Sequence, residues 1–175
     1  TSLWPIVQAG LKPKFIDINI KTLNVTADEF IKNILKKTKI IMGVHVLGNS
    51  VEIDRIRDVC KKKKLILIED TCESLGSKYK KFNLGTYGDF GTFSFYYSHQ
   101  MTSGEGGMII CKNKKDYDIL RMLRSHGWSR GIDKKKTNNF NFINSGFNLR
   151  PMEVNAAIGL SQLKRFNQMI KIRSK

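Results

Sequence analysis

The sequence predicts an α/β protein with a mostly parallel sheet flanked by helices. Two observations predict it. Short apolar runs alternate with amphipathic stretches, the strand–helix–strand rhythm of a sheet with helical crossovers. Two of those runs, Lys39–Val46 and Leu65–Ile68, are apolar with little alternation, as strands covered on both faces are.

In chain order, Lys14–Ile18 is a strand candidate after the breakers Gly10 and Pro13. Thr26 caps a helix with Asp28 and Glu29 in its first turn, where carboxylates suit the macrodipole, and Phe30, Ile31, Ile34 and Leu35 recur on one face. Lys39–Val46 follows as a buried strand ended by Gly48-Asn49. Val51–Lys62 reads as a helix with Ile53, Ile56 and Val59 inward and lysines at its C-terminal end. The strand Leu65–Ile68 runs directly into Glu69-Asp70. Phe90–Phe95 and Gly107–Lys112 are strand candidates on either side of a glycine-containing loop. Lys115–Arg124 and Glu153–Ile170 read as the last helices, with Pro151 suited to a first turn, and Ser129–Asn144, rich in Lys and Asn, as an exposed loop. No internal repeat or domain boundary interrupts the pattern.

At 175 residues and 41% hydrophobic, the chain can bury a real core, which excludes wholesale disorder. No run approaches the ~18 to 20 apolar residues that span a bilayer, so no membrane attachment is expected. Cys60, Cys72 and Cys111 are odd in number and lack metal-ligand spacing, which points to a reducing cytoplasm and no metal site. The net charge of +16 would attract polyanions, but the lysines are scattered over helix faces and not interleaved with aromatics, so nucleic acid is not the expected partner.

In an open parallel sheet, ligands collect at the carboxyl ends of the strands, which directs attention to Asp70 and Ser94. Taken alone, Asp70 reads first as a helix cap or ion-pair member, and Ser94 and Asn148 as turn or strand-end hydrogen-bonders. The runs around them are more specific. Glu69-Asp70-Thr71-Cys72-Glu73-Ser74-Leu75-Gly76, Gly88 through Gly107 and Gly146-Phe147-Asn148-Leu149-Arg150, in that order, resemble the DegT/DnrJ/StrS family of sugar aminotransferases over nearly the whole chain.

That resemblance implies an aspartate-aminotransferase-like fold, a mostly parallel mixed sheet that binds pyridoxal 5'-phosphate. It makes residues 1–175 the large, cofactor-binding domain, truncated at both ends, with a small C-terminal domain beyond it. It places Asp70 against the pyridine nitrogen, where a carboxylate keeps the ring protonated and electron-accepting. It places Glu73 near the ring hydroxyl and Ser94 on the phosphate, and has Asn148 reach the phosphate in the neighbouring subunit, which implies a homodimer with shared active sites.

One position departs from the family pattern. Where the aminotransferases carry the Schiff-base lysine, in Ser-Phe-x-x-x-Lys before Gly-Glu-Gly-Gly, this chain has His99, and no lysine lies between Lys81 and Lys112. Imidazole cannot form that imine. Histidine here resembles the sub-group of sugar 3-dehydratases, of the kind acting on GDP-4-keto-6-deoxymannose. The implied reaction uses pyridoxamine 5'-phosphate held without a covalent bond. His99 is the base for loss of the C3 hydroxyl from a nucleotide-linked 4-keto-6-deoxy sugar, and an amino donor such as glutamate regenerates the cofactor. The pathway implied is 3,6-dideoxysugar and lipopolysaccharide O-antigen synthesis. One relative of the sub-group carries an iron–sulfur cluster on clustered cysteines after the glycine-rich loop; Arg121–Asn144 contains no cysteine, so the cluster-independent type is expected. The alternatives are an aminotransferase of the same family and a catalytically silent scaffold; the retained Asp70, Glu73, Ser94 and glycine-rich loop argue against the scaffold. His45 and His126 read as packed or hydrogen-bonded residues.

Overall fold

The computed structural model describes residues 1–130, 132 and 140–174. Its centre is a four-stranded mixed sheet in the order β1-β2-β5-β6. β1 (Ile40–Val44), β2 (Ile66–Asp70) and β5 (Phe90–Ser94) are parallel, and β6 (Gly107–Cys111) runs antiparallel to β5. The reversal has a simple cause. β1 reaches β2 through the helix α3 (Ile53–Lys63) and β2 reaches β5 through residues 71–89, each connection returning to the opposite edge of the sheet, whereas residues 95–106 leave and re-enter at the same edge, Ser94 opposite Gly107, and so lay β6 antiparallel.

α2 (Ala27–Lys32) and α3 pack on one another and on the sheet. Their buried side chains, Ala27, Phe30, Ile53, Ile56 and Cys60, meet Ile41 and Leu67 of the strands. Thr26 Oγ1 accepts from Glu29 N, as the capping sequence requires, and the Glu52 carboxylate at the start of α3 accepts from Ala27 N of α2. Lys64, left-handed at φ 54°, ends α3 behind three lysines that suit the negative end of its dipole.

Three expectations are corrected. Lys14–Ile18 forms no strand: it has no pairing partner among the described residues, and the nearest ladder contact is the isolated bridge Asn19↔Asn24. The helix after Thr26 stops at Lys32, short of Leu35, because the Asn33 side chain turns back onto Glu29 O and the Thr38 hydroxyl takes Leu35 N. Glu153–Ile170 is two helices, α5 (Glu153–Leu163) and α6 (Phe166–Arg173), separated at Lys164–Arg165. The loop Ser129–Asn144 falls partly outside the described residues; its described part is mostly exposed, as expected, at Arg130, Phe140, Phe142, Ile143 and Asn144, although Ser129 is buried and Phe142 bridges to Trp128. The sequence reading also passed over α1 (Trp4–Gln8) and the short hairpin of β3 (Lys78–Tyr79) and β4 (Phe82–Asn83). α4 (Lys114–Arg124) starts one residue earlier than the pattern suggested, with Asn113 capping Asp116 N.

Two glycines are steric necessities. A Cβ on Gly91 would meet the Gly85 carbonyl oxygen at 2.1 Å, and one on Gly76, at φ 89°, would meet Phe166 at 2.8 Å. Gly76 thereby lets α6 lie over the loop that follows β2.

Candidate active site

Side chains alternate across a strand, so Glu69 and Asp70 at the end of β2 face opposite ways. Glu69 is fully buried. Its Oε1 accepts from Tyr87 N (2.7 Å) and Gly88 N (2.6 Å), and its Oε2 from Gly85 N (2.8 Å). Oε2 also lies 3.0 Å from Nε2 of the equally buried His45, whose Nδ1 takes Val51 N, so that Nε2 carries the hydrogen. Burial pushes the Glu69 carboxyl up, but His45 and the Gly88 and Gly85 N–H groups outweigh it and hold it below the usual range. His45 is thus a structural residue, as expected, and Glu69 is its partner. The clasp ties the loop before β5 to the β2 end and fixes where the next residue stands.

That residue is Asp70, half-buried at the carboxyl edge of the three parallel strands, in register with Val44 and Thr92. Its Oδ2 accepts from Ser2 Oγ (2.6 Å) and its Oδ1 from Cys72 N (3.2 Å). Burial again works against the charge, yet the Ser2 and Cys72 hydrogen bonds hold this carboxyl below its ordinary value. Burial and the adjacent Asp70 push the Cys72 thiol up to about 12, so beside Asp70 it stays a neutral donor. Asp70 is therefore a fixed, ionised carboxylate at a strand end, the kind of group a protonated ring nitrogen requires.

Ser94 closes β5 at the same edge. Its Oγ accepts from Tyr96 N at 3.2 Å, which leaves the hydroxyl hydrogen to donate elsewhere. Five residues on, His99 N donates to Tyr96 O (3.1 Å), and the imidazole meets the Tyr96 ring edge-on at 5.8 Å. His99 Nδ1 is buried without a hydrogen-bond partner. The ring borders a cavity of about 670 Å3 with Leu47, Glu73, Ser98, Gln100 and Arg173 among its walls. Glu73 Oε2 accepts from Leu47 N (3.0 Å), stabilising the left-handed turn at Leu47, and Glu73 O accepts from the Gln100 side chain. Arg173 of α6 reaches the His99 carbonyl at 3.4 Å.

The structure therefore brings Glu73 and His99 into one cavity and sets Asp70 and Ser94 at neighbouring strand ends, outside its lining. Asn148 stands apart: it is exposed, bridges to Ser125 and accepts from Arg150 at 3.4 Å. His126 is exposed and held through its backbone, N to Phe147 O at 2.8 Å. Among the described residues no three His, Cys, Asp or Glu side chains converge to hold a metal, and no helix is long and apolar enough to cross a membrane. The sequence reading missed Glu69, Gln100 and Ser2. Glu69 alone left a signal, an acid in phase with the inward Leu67.

The site has clear relatives. The chain is 38% identical to GDP-4-keto-6-deoxy-D-mannose 3-dehydratase of Escherichia coli O55:H7, covering all of this chain and 48% of that protein. It is 36% identical to the GDP-perosamine synthase of Vibrio cholerae, over 96% of this chain and 44% of that one. The structure of E. coli GDP-4-keto-6-deoxy-D-mannose-3-dehydratase with bound hydrated PLP superposes with a TM-score of 0.90 at 36% identity, covering 98% of this chain and 47% of the other. The chain thus spans about half the length of the curated relatives it matches, and its mixed sheet flanked by helices is the fold of PLP-dependent aminotransferases. Matched from residue 1 to residue 175, it belongs to the DegT/DnrJ/EryC1/StrS aminotransferase family.

Proposed function

We propose that this chain is the cofactor-binding large domain of a nucleotide-sugar 3-dehydratase. The substrate is a nucleotide-linked 4-keto-6-deoxyhexose, and the setting is 3,6-dideoxysugar synthesis for cell-surface polysaccharide. The observation that carries the reading is His99, with an unpartnered, buried Nδ1 at a cavity edge where the family's aminotransferases place lysine. Among the described residues no lysine lines that cavity, which speaks against the transaminase alternative.

The residues present fit pyridoxal or pyridoxamine 5'-phosphate. An orphaned imidazole nitrogen, an ionised Asp70 and a Ser94 hydroxyl with a hydrogen to donate are the donor and acceptor set such a group calls for. Asp70 would hold the ring nitrogen, Glu73 the ring hydroxyl edge and Ser94 the phosphate. When bound, the group supplies an amine for the substrate ketone and a ring that accepts electrons. Asp70, kept ionised by the hydrogen bonds from Ser2 and Cys72, would favour a protonated ring nitrogen. His99 would serve as the general base, its imidazole nitrogen taking up the proton released when the bound group and the substrate react. Carrying that proton, it would assist the departing C3 hydroxyl and pass the proton to it. Tyr96 and the hydrogen bond from His99 N to Tyr96 O limit how the ring can swing. Glutamate serves as amino donor to restore the amine form.

The enzyme works in the cytoplasm as a homodimer with shared active sites. In support, Asn148 is exposed and outside the His99 cavity, available to a neighbouring subunit. The test is incubation of the full-length protein with pyridoxamine phosphate and GDP-4-keto-6-deoxymannose. A 3-deoxy product with release of ammonia is expected; a stable 4-amino sugar without ammonia would overturn the reading.

A further inference from the structure

The lysines that lie scattered along the sequence are gathered by the sheet. β1, β2 and β5 begin at one edge and the antiparallel β6 ends there, with Ile40 beside Ile66 and Phe90 beside Cys111. Three basic segments enter or leave at that edge. Lys36, Lys37 and Lys39 precede β1, the lysine run 61–64 ends α3 ahead of β2, and Lys112, Lys114 and Lys115 lead from β6 into α4. All of these residues are exposed. The edge is the one opposite the candidate site, about 13 Å from Asp70 along β2 at the ordinary rise of a strand.

The fold does not call for this charge. The dipole of α3 suits Lys61, Lys62 and Lys63 at its C-terminal end, but the dipole of α4 opposes Lys114 and Lys115 at its N-terminal end, and Lys36, Lys37 and Lys39 lie outside any helix. Lys114 pairs with Asp118 and Lys112 Nζ donates to Tyr87 O; among the described residues none of the other lysines of the edge has a carboxylate within ion-pair distance. The nearby acids are engaged, Asp89 accepting from Leu67 N and Asp116 from the Asn113 side chain. Charges of one sign gathered in this way repel one another unless a surface of the opposite sign lies against them. Segments 35–39, 61–66 and 112–115 contain neither arginine nor an aromatic residue. Guanidinium forks and stacking rings build nucleic-acid sites, whereas lysine is a hydrated point charge on a flexible stem, suited to diffuse negative charge. Leu35 and Ile66 stand exposed among the lysines, apolar side chains that a lipid headgroup layer accommodates.

We propose that this lysine edge docks on an anionic lipid surface, a reversible peripheral contact that needs no spanning helix and leaves the opposite edge, with Asp70 and Ser94, open to substrate. The contact is independent of the reaction catalysed. Binding is measured by sedimenting the full-length protein with vesicles of phosphatidylglycerol and phosphatidylcholine in equal parts, and with vesicles of phosphatidylcholine alone. Wild type is expected to sediment with the first and not the second, and to be released toward about 1 M salt, where the screening length falls to about 3 Å. A lysine at such a surface contributes about fivefold in affinity. Lys36→Gln with Lys37→Gln, or Lys62→Gln with Lys63→Gln, is therefore expected to weaken binding about 25-fold, and all four together more than about a hundredfold. These residues are exposed, so the circular dichroism spectrum should not change. Lys21, Lys78, Lys81 and Lys164, exposed and outside the three segments, are changed to glutamine as the control and should leave binding nearly as it was. Wild type that ignores the phosphatidylglycerol vesicles overturns the proposal, and so does an equal loss in the control, which would make net charge alone responsible. Duplex DNA bound more tightly than the vesicles, and lost with the same four lysines, would overturn it in favour of nucleic acid.

Discussion

Replacing Glu69 with glutamine tests how the site is held in place. The carboxylate takes Tyr87 N and Gly88 N on one oxygen, and Gly85 N and His45 Nε2 on the other. A glutamine amide offers one acceptor oxygen and one NH2. Whichever way it points, two donors face a donor in a fully buried position. Hydrogen bonds to a charged group contribute roughly 1.5 to 3 kcal/mol each, so losing two costs about 3 to 6 kcal/mol. That is a large share of the roughly 5 to 15 kcal/mol that stabilises an ordinary domain. His45 cannot repair the loss by moving its hydrogen to Nδ1, because Val51 N already donates there. Urea unfolding of full-length wild type and Glu69→Gln, followed by circular dichroism, measures the difference. A change below about 1 kcal/mol, the size of an ordinary surface substitution, would refute the argument that this clasp fixes the β2 edge.

Further outcomes follow from the same geometry. Gly91→Ala drives a methyl into the Gly85 carbonyl and should cost about 1 to 3 kcal/mol or more, read as a lower thermal midpoint. The folded carboxyls of Glu69 and Asp70 both titrate below their ordinary values of 4.5 and 3.8. Their contribution is therefore complete above about pH 4.5 and is lost as the pH falls through the depressed values, which acid unfolding curves should show as an arm that flattens in Glu69→Gln. If Asn148 serves the neighbouring subunit, inactive His99→Asn and Asn148→Ala proteins mixed after dissociation should recover activity. Half the dimers would be mixed and each would hold one intact site, giving about one quarter of the wild-type rate. No recovery would place Asn148 in its own subunit's site or outside any.

What could be read from the sequence was what local pattern encodes. The run Leu65–Ile68 and the inward Ile53 and Ile56 of α3 have periodicities set by one element alone, and both stand where expected. The antiparallel β6 follows from a loop that leaves and re-enters at one sheet edge, Ser94 opposite Gly107, and that is known only once β5 is seen to be its neighbour. The two-residue strands of the β3–β4 hairpin carry no period at all. Of the site, the residue types and order were legible at Asp70, Glu73, Ser94, His99 and Asn148; their surroundings were not. Ser2 meets Asp70 across 68 positions, Gln100 meets Glu73 across 27, and Arg173 reaches His99 across 74. Such contacts arise from how elements pack, and no spacing rule announces them. Glu69 was hidden differently: an acid at a strand end looks like a ligand-facing group until the register turns it inward.

The central claim is that His99 acts as the proton-transferring base and that its identity decides the reaction. The most direct measurement compares full-length wild type with His99→Lys, scoring ammonia release and 3-deoxy product against 4-amino sugar from the same 4-keto substrate, pyridoxamine phosphate and glutamate. Wild type should dehydrate, and the lysine variant should lose dehydration and move toward transamination, with a visible absorbance band from covalently held cofactor. Dehydration at the wild-type rate in His99→Lys would contradict the account.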